Sequence, residues 1–143
     1  MTTPPRVEKS IFDALPVTED LRAAAAWFAS NKTWILERQL AVCRVAAPTF
    51  LEERRAELLK GELAAMGYAA SLDAAGNVVA MRDAGSQRPL VVVSAHMDTV
   101  LAPRRPEDIS LNADGTLHGP GVADNGAGLA GLLAMARVFA TIP

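Results

Sequence analysis

Cysteine, net charge and long apolar runs are all scarce in this chain, and each scarcity removes a class of function. Cys43 is the only cysteine, which excludes both an intrachain disulfide and a thiolate zinc cluster. In its apolar helical surroundings it reads as a plain core side chain. Fourteen Lys and Arg against sixteen Asp and Glu leave a formal net charge of −2, so neither nucleic acid nor an anionic membrane has an electrostatic hold. The densest basic pairs, Arg54–Arg55 and Arg104–Arg105, read as solvated helix and loop surface. The longest weakly charged segment, Gly126 to Ala140, contains Arg137 and is shorter than the roughly 20 residues of a membrane span. Met1 to Lys9 carry prolines and charges in place of a signal peptide's apolar core. There is no repeat and no low-complexity tract. These features lead us to expect a soluble, cytoplasmic protein. Its 143 residues, half of them hydrophobic, suit one domain with a real core and leave little room for a second.

The pattern that is present reads as α/β. Residues 1–16, rich in Pro and Thr, form a loose lead-in, and the domain proper spans 17–143. Thr18 to Ala47 is helical, with Leu21, Ala25 and Phe28 on one face, a break at Ser30–Asn31, and Trp34, Ile35, Leu40 and Val45 continuing the apolar side. Thr49-x-x-Glu52 fits a capping box that opens a second helical stretch. Leu51, Leu58, Leu59, Leu63 and Met66 form its buried stripe, and Gly67 stops it. Short strands follow at Tyr68 to Leu72 and Asn77 to Arg82, joined by a turn at Asp73 to Gly76. Leu90 to Ala95 is a continuous apolar run of the kind buried on both faces of a sheet. Pro103 to Asp108 is loop, and Asn112 to Gly115 has the chemistry of a tight turn. A last helix shows Leu129, Leu132, Leu133, Ala136 and Phe139 on its apolar face. The expected architecture is a mixed sheet flanked by helices.

Two clusters carry chemistry. His96 directly follows the apolar run and Asp98 stands two residues on, a spacing that puts both side chains on one side of an extended segment. The carboxyl end of a central strand is where open α/β sheets place their sites. An imidazole there can bind a metal while the carboxylate fixes its tautomer; a hydrogen-bonded structural histidine is the plainer alternative. The second cluster, Gly119 to Gly128, sets Asp124 among glycines just before the last helix. Taken alone it reads as a capped helix start. A phosphate cradle fits poorly, because neither G-x-G-x-x-G nor a P-loop lysine is present and Asp124 would repel an anion.

Together, Val91-Val92-Val93-Ser94-Ala95-His96-Met97-Asp98-Thr99-Val100 and Asp114-Gly115-Thr116-Leu117-His118-Gly119-Pro120-Gly121-Val122-Ala123-Asp124-Asn125 resemble the co-catalytic dizinc metallopeptidases, the group containing aminoacylases, peptidase T and glutamate carboxypeptidases. The resemblance extends from about Pro48 to Phe139, taking in the Thr49 to Tyr68 helix and the Gly76-Asn77 turn. It implies that His96 ligates one zinc, that Asp98 is the catalytic-site residue orienting His96, and that Asp124 bridges two zinc ions. It also implies a cis Asp124–Asn125 peptide. Asn125 stands where relatives carry Asp or Asn, whereas His118 falls on no ligand position and reads as a turn-flanking surface residue.

In that family a Glu-Glu pair, holding the general base and a ligand, follows together with a further acidic ligand and a distant His. Glu52-Glu53 cannot stand in for that pair by position. The expectation is therefore the N-terminal part of an incomplete zinc exopeptidase-like catalytic domain. Its full-length form would cleave peptides or N-acyl amino acids, with two zinc ions as cofactor. By itself the chain would be inactive and prone to self-association. The alternative is a non-catalytic remnant serving as a structural or interaction module; a glycine-loop nucleotide binder ranks below both.

Overall fold

Local chemistry sets most of the element boundaries. The computed structural model describes residues 19–82 and 90–141, so the lead-in at 1–16 lies outside the described residues. Helix α1, Glu19–Ser30, and helix α2, Lys32–Arg44, are separated at Asn31, whose backbone leaves helical geometry at φ −113° and ψ 27°. Asn31 Nδ2 donates to the Trp27 carbonyl, the local competition with the helix ladder that makes Asn a breaker. Helix α3 spans Glu53–Ala65. It ends in a Schellman motif, with Gly67 at φ +88° and bonds from Gly67 N to Ala64 O and from Tyr68 N to Leu63 O. A positive φ at that position is what glycine supplies without strain.

Strands β1, Ala69–Leu72, and β2, Val78–Met81, form an antiparallel hairpin pairing Ala69 with Met81 and Leu72 with Val78. Its turn is closed by Asp73, whose carboxylate accepts from the backbone of Ala75 and Asn77 and from the Asn77 side chain. A smaller hairpin joins β3, Ser110–Leu111, to β4, Leu117–His118, across the expected Asn112 to Gly115 turn. Helix α4, Gly128–Thr141, closes the described chain. The protein is thus mixed α/β, with its described strands in two small antiparallel sheets of two strands each.

The core lies between helices. Val42 of α2, Leu59 and Leu63 of α3, and Leu129, Leu133 and Ala136 of α4 form one buried cluster, flanked by half-buried Trp34, Tyr68, Val78 and Met97. Burying each large side chain contributes about 1.5–3 kcal/mol. Helix α4 buries more of its circumference than one stripe, adding Ala130, Ala134 and Val138, while Phe139 stays exposed.

Two expectations are corrected. Leu90 to Ala95 is not a buried central strand: it belongs to neither sheet, and Leu90, Val91, Val92 and Val93 are 76, 83, 76 and 48% exposed. A strand buried on both faces needs ladder partners and a covering layer on each side, and no described element supplies them. The Thr49–Glu52 capping box does not form either. Glu52 itself caps α3 with helical backbone and no side-chain cap bond. Its carboxylate accepts from Phe50 N, and Leu51 of the expected stripe is exposed.

Candidate metal site

The His96 to Thr99 segment is held in place by side chains from elsewhere in the fold. Thr99 N donates to Ala47 O at 2.8 Å, tying the segment to the link between α2 and α3. Arg55, on α3, is 1% exposed and reaches across this junction. Its Nε and Nη2 donate to Val45 O at 3.0 and 2.6 Å, and its Nη1 donates to Met97 O at 2.6 Å and Thr99 Oγ1 at 2.7 Å. Arg55 is therefore not the solvated helix residue expected. The cost of burying its charged guanidinium is offset because carbonyl and hydroxyl acceptors surround the planar fork.

Within this segment the side chains of His96 and Asp98, two residues apart, meet. His96 Nδ1 lies 3.0 Å from Asp98 Oδ1. The other Asp98 oxygen, Oδ2, accepts from Thr49 Oγ1 at 2.8 Å. Thr49, read as a helix cap, thus serves the site. Hydrogen bonds from Thr49 first, and His96 second, hold the Asp98 carboxyl below the usual carboxylate range.

The glycine-rich stretch brings the third residue. After Gly121, at φ +75°, the chain makes a widened turn over Val122–Ala127 in which Asp124 and Asn125 leave helical geometry and the Asp124–Asn125 peptide is cis. A Cβ on Gly121 would strike the Thr99 side chain, so the turn can approach the His96 segment only with glycine there. Helix α2 steadies the turn through Gln39 Nε2, which donates to Val122 O at 2.7 Å. Asn125 Nδ2 donates to His96 O at 3.3 Å, and a Cβ at Gly128 would overlap Asn125 Oδ1. Asp124 Oδ1 then lies 2.9 Å from His96 Nε2, so it is not serving as a helix cap.

Both imidazole nitrogens consequently face carboxylates. Desolvation works against the charged ring, but the bonds to Asp98 and then Asp124, with their charges, outweigh it and raise the His96 pKa. The His96 and Asp124 side chains are half and largely exposed, so the site opens to solvent. His118 lies apart on β4, paired with Ser110 in the hairpin ladder. Among the described residues no group of three or more His, Cys, Asp and Glu is placed to hold a metal ion, and no helix is long and apolar enough to cross a membrane.

With this geometry in view, the sequence comparison gives a likeness to the co-catalytic zinc metallopeptidases. The family that matches is Peptidase family M28, over residues 77–143, slightly under half of the chain and including His96, Asp98 and Asp124. Proteins of that family are zinc-dependent peptidases. The match supports the class that the two motifs resemble and says nothing of the aminoacylase, peptidase T and glutamate carboxypeptidase grouping. A search of curated proteins gave no match.

Proposed function

We propose that the chain supplies part of the metal site of a dizinc metallohydrolase whose full-length form cleaves amide bonds in peptides or N-acyl amino acids. The observation that carries this reading is the meeting of His96 Nε2 and Asp124 Oδ1 at 2.9 Å while Asp98 occupies Nδ1. With a proton on Nδ1, neutral His96 turns the Nε2 lone pair toward a carboxylate. Two electron-pair donors that face each other need a cation between them. A proton gives the hydrogen bond observed, and zinc takes the same nitrogen and oxygen donors. The residues present therefore fit zinc as a partial ligand set, in which the His96 imidazole and the Asp124 carboxylate would hold the metal.

Zinc bound there supplies Lewis acidity toward an amide carbonyl and an acidified water. Asp98 holds the His96 tautomer and ring orientation, and Thr49 holds Asp98. The Asp124 side chain is largely exposed, so a solute can reach it from solvent. His96 and Asp124 are fewer than the four ligands zinc usually takes, so the remaining ligands and a general base come from residues outside this set. The chain alone is expected to show no turnover. A cytoplasmic location accords with its sparse cysteine.

Calorimetric zinc titration tests the ligand roles. The wild-type chain should bind zinc, and His96→Ala and Asp124→Ala should each lose that binding; equal affinity in all three rejects the reading. A second reading, a non-catalytic interaction module, is favoured by the exposed apolar run Leu90 to Val93. Zinc binding by the wild type that is lost in both His96→Ala and Asp124→Ala would count against it.

A further inference from the structure

We propose that Arg55 is a positioning residue for the His96–Asp98 pair, acting through the backbone of Met97 and the hydroxyl of Thr99. The inference rests on the metal-site reading above and extends it to a residue outside both motifs. Met97 stands between His96 and Asp98, and its carbonyl accepts from Arg55 Nη1 at 2.6 Å. The Met97 backbone joins the two residues directly, so anchoring its carbonyl restricts the peptide plane that leads into Asp98 and, through Met97, the placing of His96. The same Nη1 donates to Thr99 Oγ1 at 2.7 Å, one residue beyond Asp98. The other side of the guanidinium holds Val45 O, where α2 ends.

Among the described residues no β-ladder does this work, because the segment pairs with neither sheet. Three of the carrier groups are near full burial or backbone: the Arg55 side chain at 1% exposure, Thr99 at 3%, and the Met97 carbonyl. Loss of the guanidinium leaves Met97 free to rotate its peptide plane, and His96 Nδ1 then loses its register with Asp98. A lysine can reach one or both of the Met97 and Thr99 acceptors as a point donor but cannot also hold Val45 with a planar fork. It should restore part of the effect.

The test is zinc affinity by competition with a chromophoric chelator, measured on folded protein. Arg55→Met should weaken zinc about tenfold or more, as loss of groups that orient a ligand does. Arg55→Lys should recover part of that loss. Leu63→Ala, buried about two turns further along the same helix and making no hydrogen bond to the His96 segment, should leave zinc affinity of the folded protein unchanged. Wild-type affinity in Arg55→Met, or equal weakening by Leu63→Ala, overturns the proposal. If His96→Ala binds zinc as the wild type does, the metal reading falls. The decision then rests on the nitrogen chemical shifts of the His96 ring in metal-free Arg55→Met: a shift from wild type supports positioning, and identical shifts overturn it. Should Arg55→Met fail to fold, Thr99→Val decides. A smaller but measurable weakening of zinc supports the proposal, and no change overturns it.

Discussion

Leu90–Val93 and His96–Thr99 lie in one stretch of chain and have opposite fates. The first is the most strand-like run in the sequence and stands exposed outside both sheets. The second has no ladder partner among the described residues either, yet it is fixed by Arg55, Thr49, Asn125, Asp124 and the Ala47 carbonyl. Strand propensity describes a fit to a pleated, half-buried surface, and without that surface it produces nothing. The site segment owes its order to polar side chains reaching in from α3, the α2–α3 link and the glycine-rich turn. Order at the site is thus decoupled from the apolar run beside it, and each half can be perturbed separately.

The largest expected effect is on the fixed half. Arg55→Met should cost about 3–5 kcal/mol of unfolding free energy in a urea titration, because Val45 O, Met97 O and Thr99 Oγ1 each lose a donor at about 1–3 kcal/mol apiece. Leu133→Ala, in the core beneath, should cost about 2–5 kcal/mol by leaving a cavity. Against these, Val92→Lys on the exposed run should change stability by about 0.5 kcal/mol or less. A loss of several kcal/mol there would mean that the run is buried after all.

Next comes association. An exposed extended apolar run is a template for pairing with another chain. We expect sedimentation to show dimers or larger species for the wild type, and a shift toward monomer when Val91 and Val92 are both changed to Lys. A monodisperse wild-type monomer at high concentration would contradict this.

The smallest effect concerns pH. The His96 pKa is raised, so its bonds to Asp98 and Asp124 contribute fully below the unfolded imidazole value, about 6.5, and fade as pH rises through the raised value. The Asp98 pKa is lowered, so its contribution is present above the unfolded carboxylate value, about 3.9, and fades as pH falls through the lowered value. Melting temperatures of the metal-free chain should therefore show a small decline as the solution turns alkaline. That step should disappear in His96→Gln, and a step of the same size in the variant would contradict the assignment.

What could be read from sequence was whatever neighbours in the chain decide. Asn31 breaking the first helical stretch, Gly67 ending α3, Asp73 closing the first hairpin and the core face of Leu129, Leu133 and Ala136 all follow from local chemistry. The convergence of His96, Asp98 and Asp124 and the cis peptide after Asp124 were legible through the family resemblance of two motifs. Thr49 and Arg55 were not, because their roles depend on partners 42 to 49 residues away. Thr49 looked like a cap and Arg55 like surface charge; each side chain instead spends its hydrogen bonds on the His96 segment. The Leu90 run misled for the same reason in reverse, since burial depends on partners that no local pattern specifies.

The central claim, that His96 and Asp124 are zinc ligands held in register by Asp98, is tested most directly by a crystal structure of the zinc-loaded chain. The account predicts a zinc ion coordinated by His96 Nε2 and an Asp124 oxygen, with Asp98 still bonded to Nδ1 and the direct His96–Asp124 hydrogen bond replaced. Zinc held elsewhere, for example at His118, with that hydrogen bond intact at saturating metal, would contradict it.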